Sequence, residues 1–167
     1  SNYLEALCQT ETVVLDKTGT LTKGEFTVKT LLPADGVTEE ELLKAAALAE
    51  ARSSHPIAKS ILARYGKAPD DALIAESAEN AGFGTTVTLS NGAILLAGQL
   101  KLMEQNGIHV LKSDSLAGTV VYVAKNERYL GCLVISDTLK PTSKEAVRRL
   151  KEAGVKQVVM LTGDAPA

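Results

Sequence analysis

The residues best placed to do chemistry stand in VVLDKTGTLTKGE, residues 13–25, where an apolar run ends on one carboxylate, Asp16, followed by Lys17, Thr18 and Gly19. A lone carboxylate at a strand end can act as a nucleophile toward phosphate, because loop N–H groups and a neighbouring lysine offset the incoming anion's charge. The plainer alternative is an aspartate that caps the next turn. Near the other terminus VVML runs into Thr162, Gly163 and Asp164, a second apolar run that delivers an acid at its end. Between them lie Glu50 and His55 in AEARSSHPIAKSI, the glycines of GFG at 82–84, and the pair Gly98-Gln99.

Elements that could position these residues are legible. TVVLD (12–16) is a short β-branched run and reads as a buried strand. TSKEAVRRLKEAG reads as a helix: Thr142 and Glu145 are spaced as a capping box after Pro141, Ala146, Val147, Leu150 and Ala153 form its apolar stripe, and Gly154 ends it. QVVML (157–161) is then a second strand, so the termini together predict a parallel α/β sheet with a site at its carboxyl edge.

The middle has a different texture. Residues 38–52 carry a helical period, and HPIAKSILARYG (55–66) is a second helix with Ser54 or His55 as cap, Pro56 in the first turn and Gly66 as stop. Asn91-Gly92 marks one hairpin, TVVYVAKNERYLGCLVIS reads as another, and QLKLMEQNG between them is a short helix ended by Gly107. The expected organisation is an antiparallel α+β module over 30–134, inserted between two parts of a parallel α/β module, 1–29 and 135–167.

Composition narrows the partners. The 167 residues are 45% hydrophobic and 23% charged with a formal charge of -2, which leaves no basic footprint for nucleic acid. Cys8 and Cys132 are far apart and lack metal-site spacing, so they read as reduced thiols without a role. His109 reads as a residue of an exposed loop. No run reaches the ~20 apolar residues needed to cross a bilayer, so the chain as given reads as soluble. It begins at Ser1 and stops at MLTGDAPA, which reads as a piece of a longer protein.

DKTGTLT, residues 16–22, resembles letter for letter the phosphorylation signature of the P-type ATPases, a family of haloacid-dehalogenase-like fold with an inserted nucleotide-binding domain. The resemblance implies that Asp16 attacks the γ-phosphate of ATP and becomes an aspartyl phosphate. Lys17 and Thr18 would line the phosphate and Mg²⁺ site, with Asp16 and the Thr18 carbonyl as metal ligands. Related phosphatases usually carry a second acid two residues after the nucleophile; Thr18 stands there instead, so the acyl phosphate should persist. Thr162, Gly163 and Asp164 resemble the second phosphate-site motif. SDTLKP resembles the hinge, which makes Asp137 and Lys140 candidates for ribose or phosphate contacts, with a solvated turn as the plain alternative.

His55-Pro56 at a helix start, with Glu50 five residues earlier, resembles the nucleotide motif of the heavy-metal-transporting subclass. That likeness implies His55 packed on adenine and Glu50 accepting from its exocyclic amine; a histidine that merely caps its helix is the alternative. Ser54 replaces a common Glu. Gly82 and Gly84 match the subclass's Gly-x-Gly, where missing Cβ atoms would let the backbone approach the nucleotide. Gly98 matches the Gly of its Gly-Asn pair, with Gln99 in place of the Asn. NYLEAL, LTKGEFTV and GVKQVVMLTGD look more like zinc/cadmium/lead exporters than copper exporters. The implied whole is a cytoplasmic part of an integral cell-membrane protein, working with ATP, ADP and Mg²⁺ beside actuator and membrane domains that bind the transported cation. A copper exporter, an isolated nucleotide-binding module and a soluble phosphatase are the rivals, and this piece is expected to bind nucleotide without turnover.

Overall fold

Antiparallel strands joined by tight turns dominate the computed structural model, which describes residues 7–110 and 118–161. The chain divides into one unit built from residues up to Glu25 together with those from Asp137 onward, and a larger one, Phe26–Ser136. Strand β1 (Thr12–Asp16) opens the first unit, a turn over 17–21 follows, and β2 (Thr22–Pro33) carries the chain across into the second. There come helices α1 (Glu39–Ala49) and α2 (Pro56–Tyr65), strands β3 (Ile74–Asn80), β4 (Gly84–Leu89) and β5 (Ile94–Gly98), helix α3 (Leu100–Gln105) and β6 (Thr119–Lys125). β7 (Arg128–Leu139) returns to the first unit, which α4 (Ser143–Glu152) and β8 (Gln157–Leu161) continue. Both crossings fall inside long strands, the first just after Gly24 (φ +73°) in β2 and the second between Ser136 and Asp137 of β7.

The large sheet has the order β2-β7-β6-β5-β4-β3, antiparallel from β3 through β7. Its two faces are read directly from β5: Leu95 and Ala97 join a core with α1 and α2, while Leu96 between them joins a second cluster with Leu102 and Met103 of α3. This is period-2 alternation with both faces covered. Helix α1 packs closely because Ala45, Ala46, Ala47 and Ala49 are buried beside Leu42 and Leu48. The Asn91-Gly92 hairpin forms between β4 and β5, with Gly92 at φ +81°, and Asn126 (φ +54°) turns β6 into β7.

In the first unit β1 pairs in parallel with β8, Asp16 standing opposite Leu161. The expected capping box of α4 does not form: Thr142 has helical dihedrals and makes no side-chain cap. Tertiary bonds take precedence there, since Ser143 Oγ donates to the Leu21 carbonyl at 2.6 Å and Glu145 is engaged by Arg148 and Arg149. The box is found at α1 instead, where Thr38 accepts from the Glu41 N–H and the Glu41 carboxylate accepts from the Thr38 N–H.

Candidate functional site

In the second unit one cleft of about 320 Å³ collects the end of α1, the start of α2, the β3–β4 turn, the β5–α3 junction and the start of β6. Glu50, His55, Gly82, Gly84, Gly98 and Gln99 all line it. Pro56 is the first residue of α2, where its missing N–H costs nothing. Sequence reasoning did not single out Ser53, Glu79, Asn80, Phe83, Thr85 or Val121, which line the same cleft.

His55 is the N-cap of α2: its Nδ1 accepts from the Ile57 N–H at 3.1 Å. That bond makes Nδ1 the acceptor and leaves Nε2 as the ring's N–H donor. Capping and ligand contact are therefore compatible, one nitrogen for each.

Glu50 closes α1 and is only 6% exposed. Burial pushes its carboxyl up to about 7, assisted by the nearby charge of Glu79 and opposed by hydrogen bonds from Ser53 and Thr85. Thr85, itself buried, sits opposite Glu79 in the β3–β4 register. Among the described residues the cleft lining holds no lysine or arginine, so it suits an uncharged, hydrogen-bonding ring better than phosphate.

The glycines divide by cause. Gly84 and Gly98 are cross-strand partners, and their backbones touch: a Cβ on Gly84 would lie 2.2 Å from the Ala97 carbonyl oxygen, and one on Gly98 would lie 2.1 Å from that of Phe83. Strand contact thus already demands glycine at both positions, including Gly84, for which the resemblance implied close approach of the nucleotide. Gly82 has open space around it but stands at φ +76° in a turn closed by Phe83 N–H to the Asn80 carbonyl, 2.8 Å. Phe83 lies between the pair, its ring covered by Lys101 Nζ at 4.8 Å from the centroid. The Gln99 N–H donates to the Phe83 carbonyl at 2.8 Å, while its side chain makes no cap.

In the first unit Asp16 is exposed at the carboxyl end of β1. The chain then turns through Thr18 (φ −78°, ψ 125°) and Gly19 (φ +75°). Buried Thr22 organises this turn: its Oγ1 accepts from the Gly19 N–H at 3.1 Å and lies 2.5 Å from Asp137 Oδ2 and 3.0 Å from the Lys17 carbonyl. Lys140 Nζ donates to the Gly19 carbonyl at 2.6 Å. Asp137 and Lys140 therefore brace the loop that bears Asp16. The Asp16 carboxylate and the Thr18 carbonyl are hard oxygen donors at one turn, a set that suits Mg²⁺ completed by phosphate and water. Thr162, Gly163 and Asp164 lie outside the described residues.

A parallel strand with a carboxylate at its end, followed by a braced turn and interrupted by an α+β insertion, defines the class. Over residues 10–167 the chain matches the haloacid dehalogenase-like hydrolase family and belongs to it. Within that family it is 47% identical, over 99% of its length, to a cadmium, zinc and cobalt-transporting ATPase of Bacillus subtilis (strain 168). It is 40% identical, over 98%, to a probable copper-exporting P-type ATPase of Archaeoglobus fulgidus. It spans 23% and 21% of those two proteins, less than a quarter of their length. Among solved structures, the catalytic domain of the CPx-ATPase CopB-B, described for its conformational changes upon nucleotide binding, is similar over 99% of this chain and 58% of that one, with TM-score 0.69 and 27% identity.

Proposed function

We propose that this chain is the ATP-binding and phosphorylation region of an ATP-driven heavy-metal cation exporter of the zinc and cadmium class. The observation that carries the reading is the convergence of Glu50, His55, Gly82, Gly84, Gly98 and Gln99, from separated stretches of sequence, on one uncharged-ring-sized cleft. The second unit would hold the base, with Glu50 and His55 Nε2 facing it. The first would present Asp16, whose carboxylate oxygen bonds to the γ-phosphorus as the bond to the β–γ bridging oxygen breaks and ADP departs with the electron pair. Lys17 and the loop N–H groups would offset charge, and Thr162, Gly163 and Asp164 would complete the phosphate site. Mg²⁺, held by Asp16 and the Thr18 carbonyl, supplies neutralisation of phosphate charge when bound. Thr18 puts no general acid or base beside the acyl phosphate, which favours a lasting intermediate over free hydrolysis. The greater identity to the cadmium, zinc and cobalt transporter supports that ion class over copper.

No helix among the described residues is long and apolar enough to cross a membrane. The cation sites, the actuator domain and the membrane helices would belong to the remainder of a membrane-embedded parent, with this region in the cytoplasm. ATP titration of the chain should shift amide resonances around Glu50, His55 and Gly82–Gly84; unchanged affinity in His55→Gln counts against the base site. In the full parent, labelled ATP should give an acid-stable, hydroxylamine-sensitive label that disappears in Asp16→Asn, and survival of the label in that variant refutes the nucleophile.

A further inference from the structure

The least expected group in the cleft is a buried acid with no cation beside it among the described residues. Glu50 is 6% exposed, lines the cleft, and has no lysine or arginine beside it among the described lining residues. Its neighbours are the hydroxyls of Ser53 and Thr85 and a second acid, Glu79, placed opposite Thr85 on β3. Among the described residues the other titratable group in the lining is His55 on α2, whose Nδ1 is occupied by the cap. Arg52, two residues from Glu50, is held by Asp71 at 2.8 Å. An unpaired carboxylate in such a place is costly, whereas its neutral form is not, and hydroxyl partners can donate to one form and accept from the other.

Resting on the base-site reading above, we infer that Glu50 reads the base as a neutral carboxylic acid, its carbonyl oxygen accepting from the adenine amino group and its O–H donating to adenine N1, so that base choice is linked to a proton. The two hydrogen bonds are complementary to adenine's Watson–Crick edge. Guanine presents two adjacent N–H donors there, which match the ionised carboxylate instead. Deprotonation therefore weakens adenine binding and relieves the penalty against guanine. No bond is made or broken beyond the proton that Glu50 takes up from solvent.

The test measures dissociation constants of ATP and GTP for this chain at about pH 6 and about pH 8. The two nucleotides share their phosphates, so the GTP:ATP ratio cancels phosphate titration. With Glu50 titrating near 7, the neutral fraction falls from about nine-tenths to about one-tenth, and the ratio should fall about tenfold or more. Glu50→Gln, which keeps an acceptor and a donor, should retain ATP preference with a ratio that no longer changes, although His55 is intact. A flat ratio in the unsubstituted chain, the same slope in Glu50→Gln, or loss of ATP binding in a folded Glu50→Gln overturns the inference. Glu79→Gln gives an independent check, moving the midpoint of the ratio to lower pH; an unmoved midpoint counts against it. Absence of any nucleotide binding at either pH refutes the base site itself, and the inference with it.

Discussion

Substituting Gly98 by alanine tests whether the glycines of the cleft serve the backbone before they serve a ligand. The new Cβ would sit 2.1 Å from the Phe83 carbonyl oxygen and 2.8 Å from Gly84 Cα. Contact at van der Waals distance needs roughly 1 Å more than the first of these, so β4 and β5 must part locally. Parting them removes the 2.8 Å bond from the Gln99 N–H to that carbonyl. Overpacking of this kind costs about 1–3 kcal/mol, and an unpaired backbone pair adds about 1–3 kcal/mol. The net expectation is a loss of about 3 kcal/mol, or roughly 6–12 °C in Tm for a chain of this size. Gly82→Ala is the control: nothing lies within 4 Å, and only the φ of +76° is lost, about 1 kcal/mol. Near-ultraviolet circular dichroism of Tyr65, Tyr122 and Tyr129, all in the second unit, follows urea unfolding of the relevant part. Equal costs at the two glycines, or a smaller cost at Gly98, would refute the backbone-contact argument.

Glu50→Gln should also alter stability with pH: the folded carboxyl lies near 7, above the ordinary 4.5, so the native chain holds a proton that the unfolded chain releases. Its contribution is fully present below about 4.5 and is lost as pH rises through 7, reaching about 3 kcal/mol; the variant should equal the unsubstituted chain near pH 4 and exceed it by up to that amount at pH 8, as urea midpoints would show. His55→Asn retains a good N-cap and should leave α2 within a few tenths of a kcal/mol while weakening ATP, whereas His55→Ala should also lose about 1 kcal/mol; identical ATP affinity in all three chains contradicts the role given to Nε2. Thr22→Val keeps shape but strips Gly19 N–H and Asp137 of their partner, costing about 2 kcal/mol locally; faster hydrogen exchange at the Gly19 amide is the readout, and unchanged exchange would deny Thr22 its organising part.

Much of the arrangement was legible because it is local. Hairpins at Asn91-Gly92, the two helices of the insertion and the strand that ends on Asp16 each carry their own turn residues or period. What was not legible depends on pairing between distant stretches. β3, IAESAEN, is mostly exposed and has no apolar alternation, yet its register with β4 is what brings Glu79 opposite Thr85 and Asn80 opposite Gly84. Thr85 therefore looked like one hydroxyl among several in GTTVTL. The misplaced capping box has the same origin: Thr142 and Glu145 have the right spacing, but Leu21, more than a hundred residues away, claims Ser143. Asp137 and Lys140 likewise find loop atoms, Thr22 and Gly19, that no local pattern pairs with them.

The two-stranded sheet of the first unit has a consequence for how any measurement on this chain is weighed. Val14, Val159, Met160 and Leu161 are 40–59% exposed there. A pair of strands with so little covering is marginal by itself, whereas β4 and β5 are flanked on both sides within six strands. Amide protection should thus fall into two tiers, β1 and β8 opening by local fluctuation long before β5 does. Calorimetric or denaturant midpoints would consequently be set by the six-stranded unit, and the strand that carries Asp16 would be spectroscopically silent in them.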